Sequence, residues 1–319
     1  MRAYIGVTDS DWSKTLSQIS ELEEVNFWQP GGRHRFKALN QGELFLFKLH
    51  SPHNFIVGGG VFAYSTILPV SLAWDTFGRS NGADSVAQMR QRTAKYRKTK
   101  EDPINDYTIG CILLTQPFFF PKSSWIPVPK DWSLNIVQGK TYDLETEPGS
   151  TIFSELRISQ LLSTGFPFDT PRVGQGDRVG IDKYGKATLI TPRLGQGAFR
   201  IMVTDAYERR CAVTNEKVLP VLEAAHIKPY GAGGEHKLEN GLLLRSDLHL
   251  LFDRGYVTVT PDHRLEVSRR IREEFENGRD YYALQGKNIW IPKEKSKCPG
   301  TENLTWHNEN IDRKSVVRE

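Results

Sequence analysis

The chain has 319 residues, long enough for two domains, with 38% apolar and 11% aromatic side chains and a net charge of +4. That composition excludes wholesale disorder, and no apolar run approaches the roughly 18–20 residues that a membrane span needs. The opening Met1-Arg2-Ala3-Tyr4-Ile5 lacks the apolar stretch of a signal peptide, and three scattered cysteines (Cys111, Cys211, Cys298) make no disulfide framework, so a reduced, cytoplasmic protein is expected.

In chain order, residues 12–22 predict a helix. Residues 44–49 (Leu-Phe-Leu-Phe-Lys-Leu) form an almost continuous apolar run after a Gln41-Gly42 turn, and Phe55-Ile56-Val57 leads through Gly58-Gly59-Gly60 into Val61-Phe62-Ala63-Tyr64. With residues 109–120, these runs are short, β-branched or aromatic and bounded by Gly or Pro, as strands are. Three glycines inside a strand predict a bulge or the close approach of a ligand backbone. Residues 82–98 predict a second helix, capped by Asp84 or Ser85. Arg90, Arg92, Lys95, Arg97, Lys98 and Lys100 crowd this stretch, and Arg33, Arg35 and Lys37 follow Gly31-Gly32. Both clusters suit phosphate contacts, the first equally a solvated helix face.

The texture changes near residue 145. Glu147-Pro148-Gly149-Ser150 reads as a domain edge, residues 152–163 as a short helix, and 164–198 as Gly/Pro-rich loop. A helix is predicted from 198 to 210. Residues 221–227 then read as a strand, 231–240 as a Gly-rich loop, 242–244 as a second strand, and 248–254 as a helix capped by Ser246 or Asp247 and stopped by Gly255. This is a ββα unit.

On that unit His226 ends the first strand, Asn240 re-enters the second, and His249 and Asp253 stand i,i+4 on one helix face, where they could share a metal ion. Phosphodiester hydrolysis needs a base for water and a cation for the developing charge. An imidazole opposite a His/carboxylate pair supplies both, with water and phosphate completing a Mg²⁺ or Mn²⁺ shell. Glu223, three residues before His226, is expected on the opposite strand face. Cys211 is read as a buried small apolar residue, Cys298 as an incidental tail residue, and His236 as loop surface.

The segment resembles the HNH nuclease superfamily, with His226, Asn240 and His249 in the signature places. It also resembles a subgroup with Cys-Ala-Val-Thr, Glu-Ala-Ala-His-Ile, Asn-Gly-Leu and Leu-His-x-Leu-Phe-Asp, and the Arg-Leu-Gly-Gln-Gly-x-Phe-Arg at 193–200 is similar to that subgroup's lead-in. The resemblance implies that His226 is the general base, that Asn240 orders the loop, and that His249 and Asp253 bind metal. Two departures stand out. Ala225 occupies a place where many relatives carry a further metal ligand, and there is no Cys-x-x-Cys zinc knuckle.

Phe27-Trp28-Gln29-Pro30-Gly31-Gly32-Arg33, with the runs at 42–47 and 55–60, is similar to the EVE branch of the PUA-like superfamily, small barrels with a pocket for modified bases. Members joined to an HNH nuclease resemble modification-dependent restriction enzymes for 5-methylcytosine or 5-hydroxymethylcytosine. A flipped base would be read by aromatic side chains, with Trp28, Trp74 and Trp125 as candidates and Arg33 and Arg35 on flanking phosphates.

The expectation is therefore an α+β protein: a PUA-like barrel with helices at 1–145, a linker with a helix at 146–192, and a ββα-metal HNH domain at 193–319. Its substrate would be double-stranded DNA carrying modified cytosine, with a homodimer for double-strand cutting. The competing expectation is an HNH-derived DNA- or RNA-binding module without cleavage, in which Ala225 marks a degraded metal site.

Overall fold

A computed structural model describes residues 1–97, 105–133, 135–161, 189–190 and 192–312. The α+β chain divides into two compact units, Met1–Arg193 and Leu194–Glu319. Among the described residues no helix is long and apolar enough to cross a membrane.

The first unit is built on a mixed sheet. Strands β1 (Arg2–Thr8), β2 (Glu24–Gln29), β3 (Leu44–Leu49), β4 (Phe55–Pro69), β5 (Thr108–Phe119) and β7 (Gly139–Asp143) are ordered β2-β5-β4-β3-β1-β7, and the short β6 (Ile126–Pro127) pairs with the start of β4. Only β1 and β3 are parallel. Helices α1 (Ser10–Ser17), α2 (Val70–Phe77), α3 (Val86–Tyr96) and α4 (Gly149–Leu161) complete the unit.

Alternation along β3 divides the core. Phe45, Phe47 and Leu49 pack with Trp12, Leu16, Val25 and Phe27, whereas Leu44 and Leu46 pack with Ala3, Ile5, Ile126 and, from α4, Ile152 and Leu156. Both faces are covered, so the strand carries an unbroken apolar run instead of an alternating one. At the triple glycine the β4–β5 register shifts between Gly59 and Val61, and a Cβ on Gly58 would lie 2.2 Å from the Phe118 carbonyl oxygen. The expected bulge is present, and the backbone that comes close is that of β5, not of a ligand.

Ser85 caps α3, its Oγ accepting from the Gln88 N–H at 3.2 Å. The arginines of this helix hold the protein's own loops. Arg90 donates to the Asn105 carbonyl (2.9 Å) and Asp106 (3.2 Å), Arg92 to the Gly82 carbonyl, and Arg97 to the carbonyls of Pro30 (2.6 Å) and Thr108 (3.1 Å). These guanidiniums therefore serve as cross-braces where phosphate contacts or a solvated face were expected. Lys98 and Lys100 lie outside the described residues, as does most of the expected loop at 164–198.

In the second unit α5 (Gln196–Ala206) precedes the hairpin β8 (Leu222–His226) and β9 (Gly241–Arg245), and α6 (Ser246–Asp253) follows directly. A small hairpin, β10 (Val257–Val259) and β11 (Leu265–Val267), and helices α7 (Arg270–Phe275), α8 (Arg279–Tyr282) and α9 (Thr301–His307) close it. Helix α5 stops short of the expected residue 210 because Glu208 and Arg209 take left-handed φ angles of 52° and 58°. The expected cap on α6 is absent. Its N-cap is Arg245, and Asp247 instead binds the Arg245 guanidinium at 2.6 and 2.7 Å.

Phe199, Val203 and Tyr207 pack with Ala225, Leu242, Leu243, Leu248 and Phe252 in one core that includes buried Cys211. A Cβ on Gly241 would meet Val203 Cγ2 at 2.5 Å. The Asn-Gly step thus lets α5 lie directly against β9.

His307 is sealed in this core, 2% exposed, with Nδ1 2.9 Å from Thr258 Oγ1 and Nε2 3.2 Å from the Phe252 carbonyl oxygen. Burial pushes its pKa down from 6.5 to about 4. The unfolded chain, with the ordinary value, binds the proton more tightly. Stability is therefore full above about pH 6.5 and falls as pH drops toward 4, by about 3 kcal/mol from this group. Hydrogen exchange of the β8 and β9 amides should accelerate across that window, and less steeply in His307→Gln. An unchanged slope in the variant would refute the assignment.

Candidate active site

Strand β8 delivers side chains to two sides. His226, at its end, stacks on Phe199 of α5 with ring centroids 4.0 Å apart and planes 14° apart. Ala225 is fully buried in the core, so its place offers packing and no ligand. Glu223 shares strand parity with Ala225, not with His226, as expected from alternation. That is the side α6 crosses: Glu223 Oε2 lies 2.6 Å from His249 Nδ1. The strand face opposite the base is thus itself a face of the site, which sequence alternation alone could not reveal.

His249 and Asp253 share one face of α6, with Nε2 3.4 Å from Oδ2. Burial raises the Asp253 pKa and the Glu223 charge adds to this, opposed by His249. A carboxylate so placed gains from a nearby cation. Among the described residues no three His, Cys, Asp or Glu side chains are grouped to hold a metal ion. The pair nevertheless fits a two-donor site. Its spacing is close to that of neighbouring donors around an ion with bonds of ~2.1 Å. With Nδ1 engaged by Glu223, Nε2 is the ring nitrogen turned to Asp253. A carboxylate on the remote nitrogen is the usual partner of a metal-binding imidazole.

His226 Nε2 lies 2.9 Å from His236 Nδ1. Burial, then the neighbouring His236 and His249, lower the His226 pKa from 6.5 to about 4, leaving it neutral and able to accept a proton near neutral pH. His236, expected as loop surface, is part of the site. Its partner on the other side is Tyr230, stacked with centroids 5.0 Å apart. Asn240 is 2% exposed and closes the loop: Oδ1 accepts from the Lys228 N–H (2.8 Å), and Nδ2 donates to the carbonyls of Lys228 (2.9 Å) and Glu235 (3.0 Å). It orders the loop, and these side-chain hydrogen bonds go to Lys228 and Glu235. No sequence signal marks His236, because its place beside His226 follows from the loop closure that Asn240 makes.

The base-pocket candidates lie on different elements of the first unit. Trp28 on β2 donates Nε1–H to the Asn81 carbonyl (3.1 Å), and Asn81 donates to the Ala73 carbonyl (3.0 Å) beside Trp74 of α2. Those two tryptophans stand where β4 passes into α2. Trp125 stands at the opposite end of β4, by Phe55 (6.0 Å) and His53 (6.4 Å). Trp28 and Trp125 both pack against the cluster that holds Trp12, Phe27, Phe45 and Phe47. Arg33 and Arg35 are exposed on the segment between β2 and β3.

Residues 211–260 match the family model described as HNH endonuclease, and this matched segment includes the hairpin and helix that carry His226, Asn240, His249 and Asp253. Among curated proteins none matches. Solved structures similar to the chain include ASCH from Zymomonas mobilis, 10% identical with a TM-score of 0.34, covering 48% of this chain and 94% of that one. Another is the modification dependent TagI restriction endonuclease, 12% identical with a TM-score of 0.28, covering 96% of this chain and 81% of that one. Likeness this distant carries no functional argument.

Proposed function

We propose that the chain is a DNA endonuclease of the restriction type, in which residues 193–319 cut the phosphodiester backbone and residues 1–145, with α4 of the 146–192 segment packed into their core, direct the cut to 5-methylcytosine or 5-hydroxymethylcytosine. The observation that carries the nuclease half is the neutral imidazole of His226 on the same ββα unit as the His249–Asp253 pair. His226 takes the proton of the attacking water. Asn240 holds the loop beside it. His249 and Asp253 hold a divalent ion, Mg²⁺ or Mn²⁺, which when bound supplies charge stabilisation at the scissile phosphate. Glu223 keeps the His249 ring turned.

The modification half is supported by the PUA-like sequence pattern and by aromatic side chains at both ends of β4, either of which offers a stacking surface for an extruded base. Exposed Arg33 and Arg35 suit the flanking phosphates. One such centre cuts one strand per encounter, so two copies would act together on a duplex.

The test is cleavage of three otherwise identical duplexes carrying cytosine, 5-methylcytosine or 5-hydroxymethylcytosine, with Mg²⁺ or Mn²⁺. Cutting of a modified duplex alone is expected. Equal cutting of all three overturns the reader, and no cutting under any condition moves the chain to a binding module, with an RNA duplex as the competitor to try.

A further inference from the structure

His226 is held on three sides by named groups. Phe199 covers one ring face, His236 engages Nε2, and the chain emerges from β8 behind it. Among the described residues Nδ1 has no hydrogen-bond partner. His236 is itself fixed from several directions: Tyr230 stacks on it, the Phe199 ring stands 5.6 Å away, and Asn240 grips the preceding residue's carbonyl at 3.0 Å. The loop that carries it tolerates only glycine at 234, where a Cβ would lie 1.8 Å from the Lys228 carbonyl oxygen. So much fixation for one loop histidine exceeds what a solvated loop requires.

We propose that His236 is a positioning residue for the base: it accepts the Nε2–H of His226 at its own Nδ1, and so keeps the His226 Nδ1 lone pair free to take the proton from water. This rests on the nuclease reading and deepens it. A neutral imidazole has one N–H and one lone pair, and the reaction needs the lone pair at the nitrogen with no protein partner. If His226 carried its proton on Nδ1, the lone pair would be spent on His236 and the free nitrogen would be a donor, useless as a base. With Nε2–H donated to His236, the proton count balances. Water gives a proton to Nδ1, the oxygen keeps the electron pair and bonds to phosphorus as the P–O bond to the leaving oxygen breaks, that oxygen departs with the electron pair and takes a proton from solvent, and the imidazolium that forms still donates Nε2–H to His236. His236 then carries its own proton on Nε2 throughout. The Asn240-bound loop thereby acquires a chemical purpose: it sets the distance between two imidazoles.

The experiment is ¹⁵N–¹H correlation of the histidine rings in the full chain at pH 7.5 without added metal, with His226 assigned from the spectrum of His226→Gln. The Nε2–H tautomer is expected for His226 in the wild type, and a mixture of tautomers in His236→Ala. His236→Asn, whose carboxamide oxygen can accept the same proton, should restore the single tautomer. In cleavage, His236→Ala should lower kcat by at least about tenfold with KM nearly unchanged, and His236→Asn should recover part of it. The Nδ1–H tautomer in the wild type overturns the proposal, as does a single unchanged tautomer in His236→Ala. A wild type that shows the Nε2–H tautomer but cuts no DNA would support the positioning and overturn the nuclease reading on its own.

Discussion

Replacing His226 with alanine should lower kcat on a cleavable duplex by about 10²–10⁴-fold while DNA affinity stays within a few-fold. The size follows from the role. A general base within reach of water contributes only in the transition state, so its loss appears in kcat and not in binding. The imidazole is suited to that role because burial and two neighbouring histidines hold its pKa at about 4. Near pH 7 almost every molecule carries the neutral, accepting form. The sign matters for the pH profile: on account of this group activity is lost only as pH falls through about 4, so the unit's acid instability, with His307 in the same range, sets in first. The fold should survive the substitution, since His226 packs only one face on Phe199. An alanine variant that cuts at the wild-type rate would remove His226 from the chemistry.

How much of this was legible beforehand differs between the two units. The ββα unit was readable because its constraints are local. His226, Asn240 and His249 fall within a few tens of residues, and turn glycines and apolar runs fix where the strands stop. Even there, alternation places Glu223 on the strand face opposite His226 without stating which element crosses that face, and it is α6 that brings His249 to it. His236 was invisible for a similar cause: its partner is set by loop closure through Asn240, a tertiary fact. The α6 cap failed because Arg245, immediately before the helix, competes for the Asp247 carboxylate that would have capped it. In the first unit the strand runs at 44–49 and 109–120 are clear from composition, whereas composition does not place Trp28, Trp74 and Trp125 relative to one another. Register sets their places along β4. Pro69 pairs with Thr108 at one end of β4 and Phe55 with Pro127 at the other, and no local signal carries that information. The basic stretch at 90–97 misled for a further reason: arginine on a helix is as able to cap neighbouring carbonyls as to meet phosphate.

The metal pair gives the second large effect. His249→Ala should abolish detectable Mn²⁺ binding by calorimetry and take cleavage to background, since it removes one of two protein donors and frees Glu223 from its 2.6 Å contact. Asp253→Asn should weaken Mn²⁺ binding strongly by removing the charge while keeping an oxygen. Its effect combined with His249→Ala should be far from additive, because the two side chains act as one unit. Glu223→Gln distinguishes a ligand from an orienting partner. The carboxamide oxygen can still accept from His249 Nδ1, so a loss of about 10–100-fold in Mn²⁺ affinity marks the orienting role, whereas a loss equal to that of Asp253→Asn would make Glu223 a direct donor and fill the place that Ala225 leaves empty. Unchanged Mn²⁺ affinity in His249→Ala would dismiss the pair altogether. Because these readouts do not depend on DNA, they separate a failed metal site from a failed choice of substrate. Metal binding with no cutting of any duplex would leave an intact metal site in a binding module, while cutting without measurable metal binding would require a different cation site on the same ββα frame.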